Sequence, residues 1–282
     1  MATRYILCIG AHPDDNEFSV GGTAARFRAD GHQVRFVSVT NGDRGHYEER
    51  YQRDRSALAA RRQIEAQRAA GVIGADYRSL GLHDGEVYVT PANTEAMVRC
   101  IRSFGPEGTG PDLVLFNRPV DYHRDHRYAA QLVLDATYML TVPLMCPESR
   151  HLDRMPVFAY WFDDFAEAAR FRADVVVPID NVVDLKIDMA CAHGSQVFEW
   201  LPYNMGTLAD VPPVEDAAGR REMVARNIRA RGEYRRRTVD EPLRRLLGPI
   251  DCRYVEAFQI CEYGRVPDAG ELASLFPTSW PL

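Results

Sequence analysis

The feature that most constrains the fold of this chain is a repeated alternation of short apolar segments with longer, alanine-rich ones. The first apolar segment, residues 4–9, is rich in aromatic and β-branched side chains, which is typical of a strand buried on both faces of a parallel sheet. The pattern predicts strands at residues 4–9, 33–40, 77–82 and 112–117, and helices at residues 23–30, 48–70, 91–104 and 126–138. This β-α order predicts an α/β fold with a Rossmann-like, mostly parallel β-sheet flanked by helices on both faces.

The composition of the sequence changes after residue 140, where three prolines interrupt the pattern, namely Pro143, Pro147 and Pro156. Beyond this point the pattern predicts strands at residues 157–162, 173–179 and 254–263, and helices at residues 184–200 and 219–237. The shift in composition is weak, and no internal repeat is visible. We therefore predict a single domain over residues 1–282, with a core at residues 1–140 and an integrated C-terminal α+β lobe at residues 141–282.

Composition excludes several classes of protein. With 46% hydrophobic and 26% charged residues the chain can bury a large core, and a formal net charge of -6 gives no general attraction to nucleic acid. The six cysteines form no C-x-x-C pair, which favours buried free thiols over a disulfide framework. Residues 1–10 carry no signal segment, and no run approaches the ~18 apolar residues of a membrane span. We expect a cytoplasmic protein.

A cluster of polar side chains follows the first predicted strand. Gly10 ends the strand, and Pro13 fixes its own φ and biases His12 away from helical conformation, so the segment forms a stiff turn. His12, Asp14 and Asp15 therefore lie at the carboxyl end of a strand, which is the edge where open α/β sheets bind ligands.

A second polar cluster, residues 121–126, follows the fourth predicted strand. Its two histidines, His123 and His126, can share one side of the first turn of the next helix. If the first and fourth strands are neighbours, both clusters meet at one edge of the sheet. A site built from His12, Asp15 and His126 would then supply two imidazoles and one carboxylate, the ligand set of a catalytic zinc centre with an open position for water.

Asp14 is adjacent to one of these ligands but points elsewhere from the turn, so it could accept a proton from water at the site. The same ligand set suits Fe²⁺ or another divalent transition metal as well as Zn²⁺. Either motif alone is commonly an ordinary turn or an incidental histidine pair. It is their pairing that favours a metal-dependent site.

The two motifs also resemble a known family. Residues 11–22 fill the pattern Ala-His-Pro-Asp-Asp-x-Glu-x-x-x-Gly-Gly, and residues 123–126 fill His-x-Asp-His. Together they resemble the zinc-dependent deacetylases of the PIG-L or LmbE-like family, which remove N-acetyl groups from glucosamine-containing substrates. Further agreement lies at Arg62, at residues 80–85 and at His193, and it thins after residue 196.

The resemblance implies a role for each matching residue. Asp14 matches the family's general base, and His123 matches a histidine that stabilises the oxyanion as an imidazolium or protonates the leaving amine. Asp125 would orient His123 and keep it charged. The family's metal ligands correspond to His12, Asp15 and His126.

The resemblance also implies where the substrate binds, with some departures from the family pattern. Asp121 stands where some relatives carry a tyrosine that polarises the carbonyl, and Arg124 replaces a proline that is usual in the family. The nearest tyrosine to that role is Tyr122. The residues expected near the substrate are Arg62, Asp84, Ser19, His193 and Tyr122.

We therefore predict a metal-dependent hydrolase that removes an N-acetyl or other N-acyl group from an aminosugar-containing small molecule. The alternative is a catalytically idle, metal-retaining sugar-binding homologue. No nucleic-acid partner is expected, and a homo-oligomer is compatible with the resemblance. The arginine-rich helix at residues 219–237 is interpreted as a solvated, ion-paired face in preference to an anion-binding one, because acidic residues are interleaved with its arginines.

Overall fold

A seven-stranded sheet forms the centre of the protein in a computed structural model that describes residues 2–167 and 169–277. The predicted domain also includes residues 1, 168 and 278–282, which lie outside the described residues. The strands, in the order β3-β2-β1-β4-β5-β7-β6, are β1 Tyr5–Gly10, β2 Gln33–Thr40, β3 Asp76–Leu82, β4 Leu113–Phe116, β5 Val157–Trp161, β6 Val175–Pro178 and β7 Val255–Ile260. The first five strands are parallel, whereas β7 pairs antiparallel with β5 and β6, so the predicted mostly parallel sheet is confirmed.

The helices that flank this sheet are α1 Asp15–Ala29, α2 Glu49–Arg53, α3 Arg55–Val72, α4 Pro91–Arg102, α5 Arg124–Met139, α6 Val183–Ala192, α7 Leu201–Asn204, α8 Ala217–Thr238, α9 Asp240–Leu247 and α10 Ala269–Leu275. They form two groups, because α6 packs against α1, α3 and α8, while α4 packs against α5. The strand order runs outward from β1 to β3 and then restarts at β4. Right-handed crossovers therefore place the two groups on opposite faces of the sheet.

Helix α1 begins at Asp15, a full two turns before the predicted start at residue 23. Gly21 and Gly22, expected to precede the helix, lie inside it. Their role is close packing: a Cβ atom on Gly22 would lie 2.8 Å from Cβ of Ile179, and one on Gly21 would lie 3.1 Å from Cε of Met189. The glycine pair therefore lets α1 approach the C-terminal half of the chain.

Three other helix predictions need correction. The predicted helix at residues 48–70 is divided into α2 and α3 at Asp54, whose side chain accepts a hydrogen bond from the Ser56 amide. The predicted helix at residues 184–200 ends at Ala192 and continues, after His193, as one π-helical turn over Gln196–Trp200. Helices α7, α9 and α10 were not predicted; each is short, and α9 follows α8 after the single residue Val239.

A buried ion pair of the C-terminal lobe makes hydrogen bonds to the core. Lys186 on α6 contacts the carboxylate of Glu256 on β7, and both side chains are almost completely buried. The backbone amides of Gly22 and Thr23 also donate to this carboxylate, at 3.1 and 2.7 Å. Strands β5, β6 and β7, all from residues beyond 140, thus extend the same sheet.

All six cysteines are free, and four of them are buried, namely Cys8, Cys146, Cys252 and Cys261. No helix of residues 2–167 and 169–277 combines the length and the apolar character that crossing a bilayer requires.

Candidate metal centre

The two polar clusters meet because β1 and β4 are neighbours in the sheet. Ile9 at the end of β1 pairs with Phe116 at the end of β4. The chain leaves β1 through a short turn into α1, and it leaves β4 through a loop into α5. The strand order reverses between these two strands, which is the position where α/β sheets place their ligand sites.

Three potential metal donors converge at this edge. Nδ1 of His12 lies 3.2 Å from Nε2 of His126, and the two carboxylate oxygens of Asp15 lie 3.7 Å from Nδ1 of His12 and 3.5 Å from Nε2 of His126. A tetrahedral ion bound at about 2.1 Å would hold its ligand atoms about 3.4 Å apart. The two imidazole nitrogens are at this spacing, and each lies close to one oxygen of the Asp15 carboxylate, so the three side chains can supply the donors of a zinc-type centre.

Gly10 makes room for the carboxylate donor. A Cβ atom at this position would lie 2.6 Å from Cβ of Asp15 and 3.3 Å from its Oδ2. Asp15 also accepts a hydrogen bond from the His12 amide at 2.7 Å, which fixes the carboxylate over the turn. The glycine at the strand end is thus required by the site as well as by the turn.

Each of the two imidazoles has a carboxylate behind it. Nε2 of His12 lies 3.3 Å from Oδ2 of Asp125, and Nδ1 of His126 lies 2.9 Å from Oδ2 of Asp121. A carboxylate on the remote nitrogen fixes the tautomer and orientation of a metal-binding histidine. The carboxylate of Asp125 therefore contacts His12, whereas its backbone amide, and not the expected carboxylate, is hydrogen bonded to His123.

The same carboxylates control the protonation of the rings in the metal-free site. Burial opposes protonation of His12, but hydrogen bonds to Asp125 and Asp15 outweigh it and raise its pKa to about 9. Burial is likewise outweighed at His126 by the charges and hydrogen bonds of Asp15 and Asp121, which raise its pKa to about 11. Because a ligating imidazole is neutral, metal binding at this site should release protons.

Asp14 lies beside the three donors but faces away from them. Although it occupies the N-cap position of α1, its side chain makes no capping hydrogen bond. Its Oδ1 lies 3.2 Å from Nη2 of Arg62. Burial raises the pKa of Asp14, and the positive charge of Arg62 opposes this shift. A carboxylate with a raised pKa at the cavity wall is suited to accept a proton.

His123 caps helix α5 and packs against the other two histidines. Its Nδ1 accepts a hydrogen bond from the Asp125 amide at 3.2 Å, so the neutral ring carries its proton on Nε2. Burial, and then the neighbouring His12 and His126, lower its pKa. The neutral ring is therefore favoured over the imidazolium that was expected.

Three further sets of donors are close enough to be weighed as metal sites. One nitrogen each of His12, His123 and His126 lies within 4.8 Å of the others, so His123 is an additional potential donor at the same centre. A second set combines His12 with Asp84 and Asp125. The third set is His46, Glu48 and Glu199, where both nitrogens of His46 are already hydrogen bonded, to Glu199 and to the Glu48 amide, so no imidazole nitrogen is left for a metal.

The residues expected near the substrate differ in their surroundings. Arg62, Asp84, Ser19 and Tyr122 all line one cavity with the metal donors. Arg62 is almost completely buried, and Nη2 also donates to the carbonyl oxygen of Pro13 at 3.2 Å, so it chiefly positions the turn that carries Asp14.

Asp84 is hydrogen bonded within the protein, whereas Tyr122 is exposed to solvent. The carboxylate of Asp84 accepts from the amides of Gly42 and Arg44 at 3.1 and 3.2 Å, and it thereby shapes the loop after β2. Tyr122 is 81% exposed at the cavity rim.

His193 does not contact the cavity, contrary to the expectation from the sequence. It is fully buried, and its Nε2 lies 3.3 Å from Oε1 of Glu17, in the layer behind Asp14. The positive charge that His193 can carry lowers the pKa of Asp14. His193 therefore supports the site from within the protein, and its burial excludes direct contact with a substrate.

The cavity has a volume of about 710 Å³ and extends from the metal donors to helix α8. The sequence analysis did not identify this far wall, whose side chains come from the π-helical turn, the segment after it and α8. They include Val197, Trp200, Pro202, Met205, Val224, Asn227, Ile228, Arg231 and Arg235. The arginine-rich composition of α8 was the available signal; it was interpreted as a solvated, ion-paired face, and two of its arginines, Arg231 and Arg235, also line the cavity.

Comparisons with known proteins agree with the site. The sequence profile of the PIG-L family, described as GlcNAc-PI de-N-acetylase, matches residues 7–137, which contain both motifs. A diacetylchitobiose deacetylase from Thermococcus kodakarensis is 27% identical over 213 residues, which are 71% of this chain and 74% of that protein.

Solved structures show the same fold. An N,N'-diacetylchitobiose deacetylase from Pyrococcus horikoshii matches with a TM-score of 0.69 at 20% identity, over 94% of this chain and 88% of that one. A 4-carboxy-2-hydroxymuconate hydratase from Pseudomonas putida matches with a TM-score of 0.64 at 19% identity, over 95% of this chain and 99% of that one. The fold alone therefore does not determine the reaction. The resemblance drawn from the two motifs is nevertheless confirmed, and residues 7–137 carry the PIG-L family region of this chain.

Proposed function

We propose that this protein is a metal-dependent hydrolase that removes an N-acetyl or other N-acyl group from an aminosugar-containing small molecule. One observation carries the proposal: two imidazoles and a carboxylate lie within 3.2–3.7 Å of one another beside a second carboxylate, Asp14, that makes no capping bond and lines the same cavity. The deacetylase activities in the names of the family and of the Thermococcus relative support this choice of reaction.

The metal would be held by His12, Asp15 and His126, and a divalent ion there supplies Lewis acidity toward an amide carbonyl and lowers the pKa of a water. Zinc is the proposed metal, and the same donors accept Fe²⁺ or another divalent transition ion. Asp121 and Asp125 accept the remote N–H groups of the two imidazoles and keep their other nitrogens directed at the ion.

Asp14 would act as the general base. It takes the proton of the attacking water, and Arg62 holds the carboxylate in place while the positive charge prevents its pKa from rising further. The proton taken by Asp14 is then available for the amine that leaves when the C–N bond breaks. One base with a tuned pKa therefore serves both proton transfers.

His123 would stabilise the oxyanion. Its Nδ1 is engaged by the Asp125 amide, so the proton on Nε2 can be donated into the site from a neutral ring. The resemblance implied an imidazolium in this role, and we propose the neutral ring; its position beside His12, with ring centroids 4.7 Å apart, suits the same role.

The test is release of acetate and free amine from a panel of N-acyl aminosugars by the zinc-loaded protein, with Asp14→Asn as the matched variant. The proposal expects one amine per acetate released, and a loss of about 10²–10⁴-fold in kcat for Asp14→Asn at unchanged metal content. If the loaded protein binds aminosugars but releases neither product, and Asp14→Asn binds them equally well, the idle sugar-binding homologue is the correct alternative.

A further inference from the structure

The cavity has a second polar end, on helix α8, that the proposed reaction does not use. Arg231 and Arg235 line the cavity there, together with Asn227. The two arginines are four residues apart and therefore share one face of the helix. The lining carboxylates come from the metal end, and none comes from α8.

Arg235 is fixed in position by backbone contacts to α1. Its Nη2 donates to the carbonyl oxygen of Phe18 at 3.3 Å, and its Nη1 lies 3.5 Å from that of Ser19. These residues follow Asp15 by three and four positions, so the guanidinium is anchored about one helical turn, ~5 Å, along α1 from the metal end. Neutral carbonyl groups orient the guanidinium but do not balance its charge.

Arg231 is exposed and lines the cavity. Within the described part of the chain it makes no hydrogen bond and no ion pair. Other arginines of α8 differ, since Arg221 pairs with Asp188 at 2.7 Å and Arg229 approaches Asp184 at 3.4 Å. The helix therefore has an ion-paired side and a side that presents free positive charge to the cavity.

Among residues 2–167 and 169–277, no acid forms an ion pair with Arg231 or Arg235. Burial lowers the pKa of Arg235, Glu256 opposes this shift, and the positive charge of Arg231 adds to it. Glu256 is already ion paired with Lys186. Asp164 also favours the charged form of Arg235, but it is not part of the cavity lining. A negative group placed between the two guanidinium groups would relieve their repulsion.

Apolar side chains also line the cavity. They are Trp200, Pro202, Val224 and Ile228. Such a surface suits the ring faces of a sugar, whereas it would exclude an isolated charge. One cavity therefore combines the metal donors, an apolar surface and two arginines.

We propose, on the basis of the proposed N-deacylase function, that the substrate is an aminosugar conjugate whose aglycone carries an anionic group, and that Arg231 and Arg235 bind this group. A carboxylate and a phosphate share the chemistry that two guanidinium groups recognise. The two arginines would thus determine which N-acetylglucosamine conjugate is accepted.

The experiment uses three matched O-glycosides of N-acetylglucosamine, with glycerol, glyceric acid and glycerol phosphate as aglycones. Amine release gives kcat/KM for the zinc-loaded enzyme, and calorimetry on zinc-loaded Asp14→Asn gives Kd without turnover. Both are repeated with Arg231→Gln, with Arg231→Lys and with Arg237→Gln, an exposed arginine of the same helix that does not line the cavity.

We expect the enzyme to prefer one or both anionic glycosides, and the better of the two identifies the anion. Arg231→Gln should lower kcat/KM for that glycoside by about tenfold to a hundredfold, while leaving the neutral glycoside nearly unchanged. Arg231→Lys should retain part of the preference, and Arg237→Gln should retain all of it.

The inference is overturned if amine is released from all three glycosides without preference, or if Arg231→Gln and Arg237→Gln behave alike; the proposed reaction then stands. If no amine is released but Kd shows a preference for the anion that Arg231→Gln abolishes, the anion site stands and the proposed reaction fails.

Discussion

Asp121 offers the sharpest test of how the protein prepares its metal ligands. Its Oδ1 accepts a hydrogen bond from the His123 amide at 2.7 Å, and its Oδ2 lies 2.9 Å from Nδ1 of His126. Both partners present an N–H group to the carboxylate when His126 binds a metal through Nε2. Asp121→Asn leaves only one oxygen for these two donors.

The amide NH₂ of the variant must therefore face either the His123 amide or Nδ1–H of His126. An unsatisfied donor pair at a buried position costs about 1–3 kcal/mol. The alternative is the other His126 tautomer, which places the proton on Nε2 and removes a metal ligand. Loss of a carboxylate behind a ligating histidine typically weakens metal binding by about 10–100-fold, equivalent to ~1.4–2.7 kcal/mol.

Competition of the purified protein with a chromophoric zinc chelator measures this change directly. Asp153→Asn is the matched control, because Asp153 is exposed and its carboxylate contacts only Arg150, at 3.1 Å. We expect Asp121→Asn to bind zinc at least about tenfold more weakly, and Asp153→Asn to match the wild-type protein. Equal affinities for all three proteins would refute the reasoning on the carboxylate–histidine pairs.

Three further predictions follow from the contacts at and behind the site. Gly10→Ala should weaken zinc binding, because the new Cβ atom would lie 2.6 Å from Cβ of Asp15; an unchanged chelator titration would contradict this. Asp14→Asn should retain its zinc, as measured by elemental analysis, and lose amine release, whereas loss of the metal would show that Asp14 is a ligand. Glu256→Gln should lower the free energy of unfolding at pH 7 by about 3–5 kcal/mol in urea titrations, because it leaves the Lys186 ammonium buried and unpaired. Burial lowers the pKa of Lys186 from 10.5 to about 8, so the folded protein releases this proton between pH 8 and 10.5 while the unfolded chain keeps it, and the contribution of Lys186 to stability rises with pH across that window. Because Glu256 raises the pKa of Lys186, the variant releases this proton at a lower pH than the wild type; the deficit of Glu256→Gln should therefore shrink as the pH rises toward 8, and a deficit that is constant from pH 7 to 9 would contradict the assignment.

The sequence predicted the features that depend on short-range pattern. The spacing of apolar residues and the positions of glycine and proline located all seven strands and most helices. The order of these elements predicted the parallel sheet. The convergence of His12 with His126 followed from one further assumption, that β1 and β4 are neighbours, which the sheet order satisfies.

The features that were missed depend on contacts between distant segments. Helix α1 extends through Gly21 and Gly22 because Ile179 and Met189 pack on them, which local propensity does not encode. The pairing of Asp125 with His12 depends on how α5 is rotated against the turn after β1.

Arg231 and Arg235 show the same dependence on contacts between distant segments. Composition alone favoured a solvated helix α8, and Arg221 and Arg229 do make surface ion pairs. Arg231 and Arg235 face the cavity only because α8 packs against α6 and its last turns reach the start of α1. Which arginines of one helix meet solvent and which meet a ligand is set by tertiary packing.

We propose that His12, Asp15 and His126 hold a metal on which N-deacylation depends. The most direct measurement is a zinc titration of the chelator-treated protein in which metal binding and amine release from an N-acetylated aminosugar glycoside are followed in the same samples. We predict that one equivalent of zinc restores amine release, and that His12→Ala and His126→Ala neither bind that equivalent tightly nor regain activity. Full amine release without metal, or tight binding of one zinc by both variants, would contradict the account.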